Sequence, residues 1–240
     1  MNLAIDIGNT RVKWALFDGD RMDRHGTAEA GQLAELCRSH PWQRGILCAT
    51  GAYNLAPLGS MADALHILSS RSQLPIALDY ATPDTLGPDR IAAACGAWKT
   101  FPGQNSLVVD AGTCITIDFV DSTGTYRGGA ILPGIAMKFR ALHTFTAKLP
   151  LMDNIDTDAD ILTGRSTHES ILAGVLTATR FAVEGFVLRY SREYGNVQVL
   201  FTGGDAERIL GNGALHIDAC AIHPWLVMTG LNEILNANEE

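Results

Sequence analysis

The sequence predicts an α/β protein made of two related domains, and three observations carry that prediction. Apolar runs of strand length alternate with longer helical stretches, the pattern that builds sheets flanked by helices. The opening AIDIGNTRVKWALF has a counterpart near mid-chain, VVDAGTCITIDFV: each is an apolar run ending in Asp, then x-Gly, a Thr within two residues and a second strand. The spacing is about half of the 240 residues, which suits a duplicated domain and not the short period of a solenoid. We expect domains at 1–104 and 105–240, around a cleft.

The elements follow in order. Leu3 to Ile7 reads as a buried strand and Val12 to Phe17 as a second, with Asp18-Gly19 as a hairpin turn. Ala28 to Ser39 suits a helix, Gly45 to Thr50 a short strand, Leu55 to Leu68 a helix and Pro75 to Tyr80 a short strand. Pro88 stands at the start of a helix over Asp89 to Thr100, where its missing donor costs little. From Ser106 the pattern restarts as strand, turn, strand, hairpin turn, strand. A helix follows Pro133-Gly134, and a long one runs from about Ser166 to Glu193. Val197 to Phe201 reads as a strand, then TGGD, and Pro224 to about Asn236 as the last helix.

Composition narrows the function classes. Apolar residues make up 47% and charged residues 18%, which fits a globular chain and argues against disorder. The formal charge of -8 and the lack of any Lys/Arg run leave no electrostatic footprint for nucleic acid. Five scattered cysteines without a CxxC pair read as buried reduced thiols in a cytosolic protein. The segment Asp153 to Asp160 looks calcium-like, but counted from Asp156 it has Ile161 where an EF-hand needs Gly and Thr167 where it needs Glu. It reads as a solvated loop. No apolar run reaches the roughly 18 residues of a membrane span, and the N-terminus lacks a basic region and a cleavage site. We therefore expect a cytoplasmic protein with no membrane or nucleic-acid partner.

Asp6, Gly8, Asn9 and Thr10 make chemical sense together if a phosphate sits at the turn. Gly8 lets amides approach an anion, and Asn9 and Thr10 are short donors. Asp6 can stand near phosphates only with Mg²⁺ or its waters between them. The rival reading is a hairpin whose Asp accepts turn amides. Asp110, Gly112 and Thr113 repeat the arrangement, and two such turns across a cleft could hold a nucleoside triphosphate. Thr202 to Asp205, TGGD, is a third Gly turn after a strand.

This ordered set resembles the acetate and sugar kinase, Hsp70 and actin superfamily, and within it the type III pantothenate kinases. DIGNT at Asp6 to Thr10 looks like that family's first phosphate motif, and LGPDR at Leu86 to Arg90 like its Gly-x-Asp-Arg substrate motif. DAGTCIT at Asp110 to Thr116 looks like its second phosphate motif; GGAILPG at Gly128 to Gly134, GRST at Gly164 to Thr167, and TGG follow in the family's order. The resemblance spans Asp6 to about Gly204. It implies two duplicated ribonuclease-H-like (actin-like ATPase) domains with mixed sheets around an interdomain cleft. The implied activity is ATP-dependent phosphorylation of pantothenate, the first step of coenzyme A biosynthesis, by a homodimer.

Roles carry over residue by residue. Asp89 is by resemblance the base for the acceptor hydroxyl; it also suits a helix N-terminal carboxylate, and both can hold. Arg90 would hold the substrate carboxylate, with solvated Arg as the rival. Tyr80, Gly87 and Pro88 would line the pantothenate pocket, though Tyr80 also suits a core position. Thr167 would contact substrate from the partner half of the site, or else Thr167 or Ser166 caps a helix. Asp110 would be the ligand of a monovalent cation, K⁺ or NH₄⁺, and Thr113 would contact ATP. Asp6 would act through Mg²⁺, and Ile7, Gly8, Asn9, Thr10, Arg11, Val12 and Lys13 would face ATP, with Lys13 equally readable as a surface charge. Cys114 departs from the family, where alanine is commoner, and Pro88 fills a variable position. Neither removes a functional side chain. The competing readings are a kinase for another small hydroxyl compound, and a non-catalytic regulator on the same fold, which the acidic balance disfavours as a DNA binder.

Overall fold

The computed structural model describes residues 1–51, 53–152, 161–211 and 220–238; the acidic segment 153–160 lies outside them. Two compact units divide the chain. The first is Met1–Gly103 with Val120–Gly128 and Trp225–Glu240; the second is Gln104–Phe119 with Gly129–Pro224.

In the first unit, β1 (Asn2–Ile7) pairs antiparallel with β2 (Val12–Asp18), and β2 with β3 (Arg21–Ala28). Helix α1 (Leu33–Ser39) leads to β4 (Arg44–Ala49), parallel to β1, and β5 (Leu65–Ile67) continues the sheet, giving the order β3-β2-β1-β4-β5. Leu3, Ile5, Ile7, Val12, Leu16 and Leu47 form its core with Leu33 and Leu36 of α1. Two expectations need correction. The helix over 28–39 begins only at Leu33, because Ala28 is still laddered to Val12. The helix over 55–68 is instead a 3-10 stretch, Ala56–Ala64, broken at Gly59 (φ 57°) and followed by β5. Pro57 and Gly59 interrupt an apolar pattern too weak to resist them. The short β6 (Ala77–Leu78) then runs parallel to part of β9 (Thr125–Pro133). Pro88 opens α2 (Pro88–Thr100) as expected.

The second unit repeats the plan with β7 (Asn105–Ala111) and β8 (Cys114–Val120) ahead of β9. Helices α3 (Ile135–Thr144), α4 (Thr167–Leu172) and α5 (Ala178–Tyr194) follow, then β10 (Val197–Thr202), α6 (Ala206–Leu210) and β11 (Cys220–Ile222). The sheet order is β11-β10-β7-β8-β9-β6. From its other end, β9-β8-β7-β10-β11 matches β3-β2-β1-β4-β5 strand for strand. The duplication seen in sequence is therefore a duplication of topology. The predicted long helix carries one π turn, Ala173–Thr177, between α4 and α5. Thr167–Tyr194 is long and apolar enough to cross a membrane, but half of its most apolar window is buried within the protein, as in a core helix. Neither α6 nor β11 was expected, being too short for a periodic signal.

The last helix, α7 (Leu226–Ala237), packs on α2, β1 and β4 of the first unit. Asn232, 2% exposed, accepts from Asn2 Nδ2 at 3.0 Å and donates to the Gly19 carbonyl at 3.0 Å. All five cysteines are free; Cys37, Cys48 and Cys95 are buried as expected, but Cys114 is half-buried and Cys220 exposed.

Candidate active site

In the first unit, β1 delivers Asp6 at its C-terminal end, and the ladder sets it opposite Lys13 of β2 and Cys48 of β4. Asn9, Thr10 and Arg11 are exposed at the turn, while Ile7 and Val12 are buried behind it and Lys13 is half-buried. Gly8 is not in the left-handed region, and its own N–H is committed to the Arg11 carbonyl at 3.1 Å. The close approach is at Gly51, where a Cβ would lie 2.9 Å from the Gly8 carbonyl oxygen. The Thr50 and Gly51 amides both donate to the Ile7 carbonyl, at 3.0 and 3.2 Å. The loop after β4 thus fixes the turn from behind, and an anion could approach from the exposed 9–11 side.

The substrate-motif loop ends on the N-terminus of α2. Asp89 lies in the first helical turn, and its Oδ1 accepts from the Arg90 amide at 2.9 Å. A Cβ on Gly87 would stand 2.5 Å from that oxygen, so glycine is what lets the carboxylate fold back over the helix start. Asp89 therefore satisfies its helix-terminal reading without losing partial exposure. Arg90 is not the solvated Arg of the rival reading: it is 6% exposed, with its guanidinium carbon 6.0 Å from the ring centre of the fully buried Tyr126.

Tyr80 is half-buried, and its ring centre lies 5.9 Å from that of Tyr126. The backbone beside it is held by the hairpin tip between β8 and β9: the Asp79 amide donates to the Tyr126 carbonyl at 3.0 Å. Arg127 bridges two carboxylates, Asp79 at 2.6 Å and Asp121 at 2.7 Å. Burial works against the Asp121 charge, but the Thr123 hydroxyl, Arg127 and the Thr125 and Thr123 amides outweigh it, holding the carboxyl at about 2, below its ordinary 3.8.

In the second unit, β7 delivers Asp110 as β1 delivers Asp6, and Asp110 stands opposite Thr202 of β10. The Gly112 amide donates to the Cys114 carbonyl at 2.9 Å, again closing the turn on itself, and Thr113 is exposed at its tip. Gly134 donates to the Thr113 carbonyl at 3.1 Å, which ties the LPG motif to this turn. The TGGD turn backs onto it. Gly203 sits at φ +89°, and a Cβ there would collide with the Ala111 carbonyl and come within 2.5 Å of Asp110 Oδ1. Burial raises the Asp205 carboxyl while Arg208, 2.6 Å away, opposes the rise.

The GRST segment resolves its own ambiguity. Ser166 is the cap of α4, accepting the Glu169 amide at 3.1 Å, and Glu169 returns to the Arg165 amide at 2.6 Å. Thr167 is left exposed in the first turn, on the wall of a cavity of about 750 Å³ lined also by Leu142, Leu149, Arg165 and Gly174. In the first unit Asp6 and Asp89 both act on Cys48, Tyr80 and Arg90 both lie against Tyr126, and Ile7 and Val12, expected to face ATP, have their side chains in the hydrophobic core; in the second, the TGGD turn backs onto the Asp110 turn. Sequence reasoning missed Cys48 and Tyr126. Tyr126 carried no signal, but Cys48 occupies in β4 the place that Thr202 of the TGGD motif occupies in β10.

Two sheets of one strand order, each carrying an Asp next to the end of its central strand before a Gly-containing turn, define the class: the duplicated ribonuclease-H-like fold of sugar kinases and actin-like ATPases. A Campylobacter jejuni protein described as a Baf family transcriptional activator superposes with a TM-score of 0.68 at 23% identity, over 98% of both chains. Component A of (R)-2-hydroxyglutaryl-CoA dehydratase from Acidaminococcus fermentans gives 0.54 at 15% identity over 99% of both. At these identities the likeness concerns the fold alone. Sequence goes further. The type III pantothenate kinase family model matches residues 2–189. Type III pantothenate kinases of Cytophaga hutchinsonii and Bacteroides fragilis are each 38% identical over 99% of this chain, covering 100% and 98% of their own lengths. The chain belongs to the type III pantothenate kinase family.

Proposed function

We propose that the protein phosphorylates pantothenate with ATP to give 4'-phosphopantothenate and ADP, the first step of coenzyme A biosynthesis. The observation that carries this reading is the family match over residues 2–189 together with an intact Asp89-Arg90 pair on the N-terminus of α2.

The acceptor hydroxyl oxygen forms a bond to the γ-phosphorus, the bond from that phosphorus to the ADP oxygen breaks, and the hydroxyl proton passes to Asp89. Asp89 is placed to take it because Gly87 leaves room for its carboxylate at the helix start, where it stays partly exposed. Arg90, fixed against Tyr126, supplies a cation for the pantothenate carboxylate, and Tyr80 an apolar wall with a polar tip. Thr167 offers a hydroxyl because Ser166 has taken the capping role. Asn9, Thr10 and Arg11 meet the phosphates, with Lys13 beside Asp6 on the ladder.

Asp6 is a hard oxygen donor of the kind Mg²⁺ takes, and the metal, when bound, neutralises charge on the phosphate oxygens. Asp110 is the corresponding donor for a monovalent cation, K⁺ or NH₄⁺, and Thr113 contacts ATP from the same turn. A homodimer is the expected assembly. Phe145 (84% exposed), Leu162 (75%) and Phe181 (54%) on the second unit supply apolar surface for it.

The test is phosphorus NMR of the product with ATP, Mg²⁺ and pantothenate, in K⁺ or in Na⁺. We expect 4'-phosphopantothenate in K⁺ and much less in Na⁺. Phosphorylation of glucose or glycerol but not of pantothenate would assign the fold to another kinase.

A further inference from the structure

Cys48 is wholly buried in β4. The parallel ladder sets it level with Asp6 on β1, and residues level with each other on neighbouring strands face the same side of the sheet. Its thiol therefore lies on the same face as the Asp6 carboxylate, within reach of the negative charges of Asp6 and Asp89. The second unit repeats the placement: Thr202, 1% exposed, is level with Asp110. In both copies the register sets a small side chain with a donor hydrogen level with the motif aspartate; the Thr202 hydroxyl donates to the Pro224 carbonyl at 3.5 Å.

We propose that Cys48 is a positioning residue for phosphoryl transfer, its S–H holding the Asp6 carboxylate in the orientation that receives metal-bound ATP. This rests on the reading of Asp6 as the carboxylate that acts through the metal. A thiol S–H is an uncharged, weak donor. A neutral donor orients the carboxylate without cancelling the charge that a cation needs. An apolar side chain at this place would withdraw the donor.

Serine keeps a donor at position 48; alanine removes donor and volume; valine fills the volume without a donor. The measurement is Mn²⁺·ATP binding by electron paramagnetic resonance, with KM for each substrate, kcat and thermal unfolding. Cys48→Ala and Cys48→Val are expected to weaken Mn²⁺·ATP binding and raise KM for ATP by about five- to tenfold, leaving KM for pantothenate within about twofold. Cys48→Ser is expected to stay within about threefold of wild type. Wild-type binding in Cys48→Val, or equal impairment in Cys48→Ser and Cys48→Ala, would assign the position to packing and overturn the proposal. Asp6→Asn separates the two readings: wild-type Mn²⁺·ATP binding in that variant would remove the role of Asp6 and the proposal with it.

Discussion

Ser166 and Thr167 are neighbours with similar side chains and opposite predicted behaviour. Ser166 satisfies a backbone donor of α4, so Ser166→Ala should cost about 1 kcal/mol of stability and leave KM for pantothenate unchanged. Thr167 makes no such cap, and Thr167→Val should keep the melting temperature while raising KM for pantothenate by roughly tenfold. Steady-state kinetics beside thermal denaturation checks both. Residues of this kind were legible in sequence as a pair of candidates, because a serine or threonine before a helix signals a cap. Which of the two caps depends on where the first turn closes, and that is settled by the Glu169 amide and carboxylate together. The burial of Arg90 was not legible at all, since its cover, Tyr126, arrives from a hairpin 36 residues on (126 − 90).

At the scale of elements, the hairpin tip between β8 and β9 braces the Tyr80 edge of the first unit through Arg127. The Asp121 carboxyl is held at about 2 when folded against an ordinary 3.8. A depressed carboxyl contributes stability that is full above the unfolded value and fades as pH falls toward the folded one. Asp121→Asn should therefore lower the melting temperature above about pH 4, and the difference from wild type should shrink between about pH 4 and about pH 2. A difference that grows on acidification would contradict this. The TGGD turn gives a second element-scale prediction. Gly203→Ala forces a Cβ onto a left-handed residue already against the Ala111 carbonyl, and should cost about 3 kcal/mol or more in urea unfolding. The strands were legible because alternating or continuous apolar runs end in turn residues. The segment 55–68 was misread for the converse reason: with Pro57 and Gly59 inside it, composition suited a helix but the backbone could not hold one.

At the scale of the molecule, the chain is a duplicated design whose last helix belongs to the first unit. Asn232 ties α7 to the start of β1 and to the turn after β2, so Asn232→Ala should destabilise the fold by about 1–3 kcal/mol without touching KM for either substrate. The repeat of two Asp-ending strands was readable in sequence because each copy kept its own turn residues. The return of α7 to the first unit was not, since nothing in a local apolar pattern names the partner it packs on. Single-turnover ADP formation with ATP, Mg²⁺, K⁺ and pantothenate tests most directly whether this pantothenate kinase family member uses Asp89 as its base. Asp89→Asn should bind both substrates but slow the transfer by roughly 10²–10⁴-fold. Transfer at the wild-type rate in that variant would contradict the account.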